Sequence, residues 1–247
     1  MFALLLALFA APATQPAQAT TDDAPDVVIV LTNHAELGDT GQPTGFFLSE
    51  AAHPWQVFIE AGYDVIIASP EGGLAPIDPK SLDTDDAANA AFLKDQEVQG
   101  ESVMTVALTD VDLADTDAIF YAGGHGTMFD LPDHPAVLAV TAAVYEQGGV
   151  VAAVCHGPAA LVNVKVGGGY LVAGKRVTAF TNAEEDAVEL TDAMPFLLET
   201  ILEERGATFV PADNFEANAV RDGRLVTGQN PASAEAAAKL VVEALSE

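Results

Sequence analysis

Cys155 is the only cysteine in the chain, and its surroundings suggest chemistry. It follows the apolar run 150–154, and Gly157 stands two positions after it. A buried strand that leads into a cysteine, with a small residue and a helix directly afterwards, is typical of a nucleophile elbow. A helix N-terminus lowers the pKa of a thiol and offers backbone N–H groups to an oxyanion. The pattern therefore predicts a nucleophilic Cys155; the alternative is an inert buried cysteine.

A cysteine nucleophile usually needs an acid or base nearby, and His156 is the first candidate. The alternative is a loop histidine that faces solvent. None of the five histidines follows His156 in the chain. Glutamine amidotransferases of this general fold carry a His-x-Glu pair near the carboxyl terminus, so its absence disfavours the release of ammonia from glutamine.

Glu50 is a second candidate, because it lies in an otherwise apolar stretch of helical periodicity. Burial would raise the pKa of its carboxyl group and suit it to proton exchange near neutral pH. The alternative is a glutamate on the solvent-facing side of the helix.

The segment Gly123-Gly124-His125-Gly126 follows a predicted strand but lacks the Lys-Ser/Thr of a phosphate-binding loop. Backbone N–H groups for an oxyanion hole are the better interpretation. His34, Glu36 and Asp39 share one loop, but no group of histidine, cysteine and carboxylate residues has convincing metal-site spacing. We therefore expect no metal.

Strands and helices alternate along the chain. Buried strands are predicted at 27–31, 65–68, 118–122, 150–154 and 177–180, and a hairpin at 220–228; helices are predicted at 46–61, 85–97, 134–147, from about 157, at 195–205 and at 232–245. This alternation predicts an α/β fold with a mainly parallel sheet and helices on both faces. The active site of such a fold lies beyond the carboxyl ends of the strands.

The 247 residues suit one domain, which we place at 27–247. The apolar run 2–11 and the triplet Ala17-Gln18-Ala19 are typical of a signal peptide cut after residue 19, followed by a linker at 20–26. The expected location is therefore periplasmic or secreted. The lone cysteine excludes an internal disulfide.

Acidic residues far outnumber basic ones, 37 to nine, and the formal net charge is −28. Such a charge disfavours binding to nucleic acid or to an anionic membrane surface. No run approaches the roughly 20 apolar residues of a membrane helix. We expect a small-molecule substrate and neither of those partners.

Several motifs together resemble the DJ-1/PfpI superfamily, which is glutamine amidotransferase-like, and within it the glyoxalase III and heat-shock chaperone branch. They are Thr44-Gly45-Phe46 with Glu50 and His53-Pro54, Ala68-Ser69-Pro70, Ala122 to Gly126, Val154 to Pro158, Phe180-Thr181-Asn182 and Thr227 to Pro231. The resemblance extends from Val27 to Leu245. It implies a flavodoxin-like three-layer sandwich, often a homodimer.

The resemblance also assigns roles to residues. It makes Cys155 the nucleophile, with Glu50 hydrogen-bonded to it and His156 beside it. An acidic residue after Phe-Thr-Asn would support the histidine, and counting favours Glu185 over the adjacent Glu184 and Asp186. Backbone groups of Gly124 and His156 would form the oxyanion hole.

The activity that the resemblance implies is glutathione-independent conversion of methylglyoxal, or a related 2-oxoaldehyde, to a hydroxy acid through a cysteine hemithioacetal. This is a lyase-type reaction without a cofactor. Two alternatives stay open: a cysteine amidohydrolase, peptidase or deglycase that uses the same elbow, and a stress chaperone or redox sensor that uses an oxidisable thiol.

Overall fold

The computed structural model describes residues 24–247. Its strands are β1 (Asp26–Val30), β2 (Asp64–Ser69), β3 (Gly73–Pro76), β4 (Val98–Gln99), β5 (Ser102–Ala107), β6 (Thr116–Tyr121), β7 (Val150–Val154), β8 (Lys165–Val166), β9 (Gly169–Tyr170), β10 (Arg176–Val177), β11 (Thr208–Phe209), β12 (Ala219–Asp222) and β13 (Leu225–Gly228). Its α-helices are α1 (Leu48–Glu60), α2 (Ala87–Asp95), α3 (Thr127–Asp130), α4 (Pro135–Glu146), α5 (Asn182–Ala187), α6 (Leu198–Glu204) and α7 (Ala234–Leu245).

One large sheet organises these elements. Its order is β12-β13-β7-β6-β1-β2-β5-β3, with β4 paired to β5. The six strands from β13 to β5 are parallel, whereas β12, β3 and β4 pair antiparallel at the edges. The central strands are buried on both faces, which explains their continuous Val, Ile and Ala runs.

Two apolar clusters cover the two faces of the sheet. Alternate side chains of β1, such as Val27 and Ile29, pack with α1, α2 and α7, whereas Val28 and Val30 pack with α4 and α6. This gives helix, sheet and helix layers. The predicted α/β sandwich with a mainly parallel sheet and flavodoxin-like fold is confirmed.

The structure corrects several predicted elements. The segment after Cys155 is a short 3-10 helix, Gly157–Leu161, and not an α-helix. Of the predicted strand 177–180, only Val177 lies in a strand. That strand, Arg176–Val177, pairs with β11 outside the large sheet. Strands β3, β4 and β5 and helix α5 were not predicted; β3, β4 and α5 span only two to six residues, too few to show a clear periodicity.

The predicted hairpin is present, since β12 and β13 pair antiparallel and Gly223 has a φ of +62° between them.

Residues 1–19, the predicted signal peptide, and residues 20–23 of the predicted linker lie outside the described part of the chain. Asp26, at the end of that linker, already belongs to β1. Within residues 24–247, no helix has both the length and the apolar character to cross a bilayer. The assignment of 27–247 to one catalytic domain stays a prediction.

Candidate active site

Cys155 lies at the carboxyl end of β7 with a φ of +58°. A side-chain-bearing residue rarely adopts this left-handed conformation, and such strain concentrates at functional sites. The backbone holds the turn in place: the Cys155 N–H donates to the Gly228 carbonyl, 2.9 Å away, and the Cys155 carbonyl accepts from the Phe180 N–H at the same distance. A Cβ on Gly157 would lie 2.3 Å from the Tyr121 carbonyl oxygen, so the turn requires glycine there.

His156 is fully buried beside the thiol, not turned to solvent. Its Nδ1 lies 3.3 Å from the Cys155 sulfur, and its Nε2 lies 2.8 Å from Glu185 Oε2. Burial, together with neighbouring His125, lowers the pKa of His156 to about 4, although Glu185 opposes this change. At neutral pH the ring is therefore uncharged and can accept a proton at Nδ1 while Nε2–H donates to Glu185.

Glu185 is held in place by α5, whose N-terminus is capped by Thr181. Burial alone would raise the pKa of Glu185, but hydrogen bonds from His125 and His156 bring it down to about 2. The carboxylate is therefore ionised and fixes the orientation of His156. The two neighbouring acids do not take this role: Glu184 accepts a hydrogen bond from Asn230, and Asp186 is exposed.

Glu50 reaches the thiol from the opposite side. It is fully buried on the first turn of α1; its Oε2 accepts from the Gly123 N–H at 2.8 Å, and its Oε1 has no partner of regular hydrogen-bond geometry. Burial raises the pKa of Glu50 to about 8, and the neighbouring Cys155 thiol and Gly123 N–H reduce the shift. Glu50 is therefore protonated at neutral pH and has a proton to donate or exchange.

The prediction that the Cys155 thiol has a lowered pKa was wrong. Burial raises the pKa of Cys155 well above its usual value, and the charge of Glu50, when it is ionised, raises it further. The N–H groups of Gly124 and His156 act in the opposite direction. The short 3-10 helix does not outweigh burial, so the thiol needs a base before it can attack.

The two N–H groups just named are those predicted for the oxyanion hole, and both face the sulfur. Gly124 has a φ of +101°, and a Cβ there would lie 2.4 Å from the Gly45 carbonyl oxygen. The loop after β6 can therefore pack against residues 45–47, just before α1, only with glycine at position 124.

His125 is a site residue that the sequence did not single out. Its Nε2 lies 3.0 Å from Glu185 Oε1, and its ring centre is 4.1 Å from that of His156. The available signal was position: His125 follows β6 and Cys155 follows β7, and these strands are neighbours in the sheet. Side chains at the ends of adjacent parallel strands meet.

His125, His156 and Glu185 are also the one group among residues 24–247 whose ligand atoms lie close enough together for a metal, within 4.8 Å of one another. Both histidine Nε2 atoms already pair with the carboxylate. A metal would have to replace both of these hydrogen bonds. The loop of His34 and Glu36 offers less, because His34 Nε2 lies 2.6 Å from the backbone oxygen of Glu36.

A cavity of about 230 Å³ opens above the thiol. Cys155, His156 and Gly124 lie at its base, and Phe47, Phe180 and Phe215 are among the side chains that line it. An electrophile that enters would therefore meet the sulfur, the imidazole and the oxyanion N–H groups together.

Comparison with known proteins identifies relatives over most of the chain. It is 38% identical over 239 residues to glyoxalase 3 of Candida albicans, an alignment that covers 88% of this chain and 97% of the relative. It is 32% identical over 231 residues to the glutathione-independent glyoxalase HSP31 of Saccharomyces cerevisiae, covering 89% and 97% of the two chains.

Solved structures agree. The crystal structure of glyoxalase III from Candida albicans superposes with a TM-score of 0.78 at 34% identity, covering 89% of this chain and 97% of that one. The 24 kDa rapid encystment protein of Francisella tularensis gives a TM-score of 0.85 at 39% identity, covering 90% and 99%. The predicted resemblance to the glyoxalase III branch is confirmed.

One prediction is corrected by these relatives. The periplasmic or secreted location was wrong, because the similar glyoxalases of yeast are cytosolic enzymes. That prediction relied on residues 1–19, which lie outside the described residues.

The sequence profile of the DJ-1/PfpI family matches residues 43–244, a span that includes Glu50, Cys155, His156 and Glu185. The chain belongs to the DJ-1/PfpI family.

Proposed function

We propose that this protein is a glutathione-independent glyoxalase that converts methylglyoxal, or a related 2-oxoaldehyde, and water to the corresponding 2-hydroxy acid. The observation that carries the proposal is one thiol, Cys155, placed between two carboxyl groups of opposite protonation, Glu50 and Glu185. Such a pair supplies an acid and a base at one pH. The names of the similar yeast proteins support the same reaction.

The first step is addition. His156 Nδ1 takes the proton of the Cys155 thiol, and the sulfur forms a bond to the aldehyde carbon. The aldehyde oxygen becomes an oxyanion that the N–H groups of Gly124 and His156 stabilise. The imidazolium of His156, stabilised by Glu185, returns the proton to this oxygen and completes a hemithioacetal.

The second step moves hydrogen between the two substrate carbons. The carboxylate form of Glu50 removes the proton from the former aldehyde carbon, and the hydroxyl proton on the former aldehyde oxygen passes to the former ketone oxygen. The carboxylic acid of Glu50 then returns its proton to the former ketone carbon. A pKa near 8 lets Glu50 populate both forms near neutral pH. The product is a thioester of the 2-hydroxy acid on Cys155, and water hydrolyses it to release the acid and the thiol.

The test is lactate formation from methylglyoxal by the purified full-length protein without glutathione. We expect lactate from the wild type and only background from Cys155→Ala, because the hemithioacetal and the thioester both form on the Cys155 sulfur. Asp186→Asn, which changes an exposed acid close in the sequence to Glu185, is the control and should keep full activity. A folded wild-type protein that forms no lactate would overturn the proposal.

The alternatives give different results in the same preparation. Release of an amine or a peptide fragment, without lactate, would favour the hydrolase. Suppression of client aggregation that survives Cys155→Ala, again without lactate, would favour a chaperone. The homodimer stays a prediction, which sedimentation of the same sample would measure.

A further inference from the structure

The cavity above Cys155 is larger than a bound methylglyoxal molecule needs, and much of its lining is apolar. Its volume is about 230 Å³, whereas the methyl group of methylglyoxal would fill only a small part of it. Phe47, Phe180, Val188, Leu190 and Phe215 line the cavity above the thiol, and Asp78 and Lys80 are its charged lining residues. The unfilled part of the site is therefore a place for an apolar substituent.

Phe215 is the most unusual member of this wall. Half of its surface is exposed (50%), more than for any other large hydrophobic residue described in residues 24–247, and Val188 beside the same cavity is 38% exposed. Its φ is +63°, a conformation that bulky residues avoid. An exposed phenyl ring on a strained backbone at the edge of a pocket indicates a surface that a ligand covers.

The ring of Phe215 continues an aromatic surface that begins at the catalytic histidine. Phe180 packs on His156 with ring centres 4.5 Å apart, and Phe215 packs on Phe180 with centres 6.3 Å apart and planes tilted by 52°. Tilted and offset arrangements at these distances are the favourable ones for aromatic rings. A planar aryl group on the ketone carbon, next to the reacting aldehyde, would extend this surface.

A buried carboxylate fixes the position of Phe215. Glu184 is fully buried; its Oε1 accepts from the Phe215 N–H and from Asn230 Nδ2, both at 2.8 Å, and its Oε2 accepts from Thr181. Asn230 also donates to the Glu216 carbonyl at 2.8 Å. Glu184 thus holds the strained turn next to Glu185, which orients the catalytic histidine.

From these contacts we propose that the site selects 2-oxoaldehydes that carry an aryl or similarly bulky apolar group on the ketone carbon. Phe215 acts as the specificity-determining residue, and Glu184 positions it. This inference rests on the proposed function, since it names the substrate class of the same site. The stoichiometry is that of the methylglyoxal reaction: an arylglyoxal and water give an aryl 2-hydroxy acid. The aldehyde carbon is oxidised and the ketone carbon is reduced.

The experiment compares kcat/KM for phenylglyoxal, measured as mandelate, with that for methylglyoxal, measured as lactate. We expect the wild type to prefer phenylglyoxal by about tenfold, the discrimination that an apolar pocket provides for a larger apolar group. Phe215→Ala should lower the ratio of the two values about tenfold, and Phe215→Leu should restore part of it. Ile59→Ala, which truncates an exposed apolar side chain on α1, should leave the ratio unchanged.

Glu184→Gln tests the positioning role. It removes an acceptor from the turn of Phe215 and should lower the same ratio, an effect that a general loss of stability would not produce. A wild type that turns over methylglyoxal but shows no preference for phenylglyoxal would overturn the inference and leave the proposed function intact. Equal losses on both substrates in Phe215→Ala would also overturn it. Absence of both products would overturn the proposed function itself.

Discussion

The two sides of Cys155 present the same functional group in opposite states. On the α1 side, Glu50 is buried with one regular hydrogen bond, from Gly123, and its pKa rises to about 8. On the α5 side, Glu185 is also buried, yet two histidines donate to it and its pKa falls to about 2. Burial alone would therefore give the wrong protonation state for Glu185.

The difference shows that the number of donors decides the protonation state of a buried carboxyl group here. Glu185, which accepts hydrogen bonds from two histidines, keeps its charge, whereas Glu50, which accepts from one backbone N–H, takes up a proton. The thiol between them faces an acid on one side and an oriented base on the other. Separation of two pKa values by environment is the arrangement that acid–base catalysis requires.

Among changes to the residues around Cys155, the largest effect is expected for Glu50→Gln, which preserves the size of the side chain but removes its exchangeable carboxyl proton. We expect kcat for lactate formation to fall about 10³-fold, within the usual range for loss of a general acid or base. Glu60→Gln, an exposed position on the same helix, should retain full activity. If kcat of Glu50→Gln fell by less than tenfold, His156 and not Glu50 would carry out both proton transfers.

Glu185→Gln should reduce kcat less, about 10²-fold, because His156 stays in place but loses the carboxylate that orients it. An amide oxygen can accept from only one of the two histidines with full geometry, and it carries no charge to stabilise the imidazolium. Steady-state rates on methylglyoxal measure the effect. Unchanged kcat would show that packing against Phe180 alone orients His156.

The third prediction concerns stability and pH. The pKa of Glu50 is raised from 4.5 to about 8 in the folded state, so between those values the folded protein binds the extra proton and its stability falls as pH rises. Relative to Glu50→Gln, the wild type should lose about 2 kcal/mol of unfolding free energy between pH 5.5 and pH 7.5. Urea unfolding at both pH values measures this difference, since contributions from His156 cancel between the two proteins. Parallel pH dependences would show that Glu50 is ionised in the folded state.

The smallest effect is expected for His125→Asn. His125 lowers the pKa of His156 and shares Glu185 with it, so its removal should raise the pKa of His156. The acidic limb of the kcat/KM profile should move to higher pH, and kcat should fall by less than about tenfold. His134→Asn, where the histidine pairs with Glu71 at the surface, is the matched control. A shift of the limb to lower pH would contradict this account of the histidine pair.

Much of the fold was predictable because its signals are local. The apolar run 150–154 is β7 as predicted, and Gly62, directly after the predicted helix 46–61, has a φ of +83°. Strands β3 and β4 could not be predicted, since they are short, largely exposed and paired only with β5, which itself joins the sheet through β2. The helix predicted from about residue 157 is instead a 3-10 helix, Gly157–Leu161, whose first residue lies against the Tyr121 carbonyl of β6.

The sequence by itself determined the turn at Cys155 and predicted its role as the nucleophile, because strand, cysteine and glycine are adjacent in the chain and their steric requirements are local. It also narrowed the orienting acid to three neighbouring residues. Only the tertiary structure decided that Glu185 reaches His156 while Glu184 holds Phe215, since successive side chains of α5 point in different directions. Only the tertiary structure likewise revealed His125 and the pKa values of the two carboxyl groups, because donors and burial come from residues far apart in the chain.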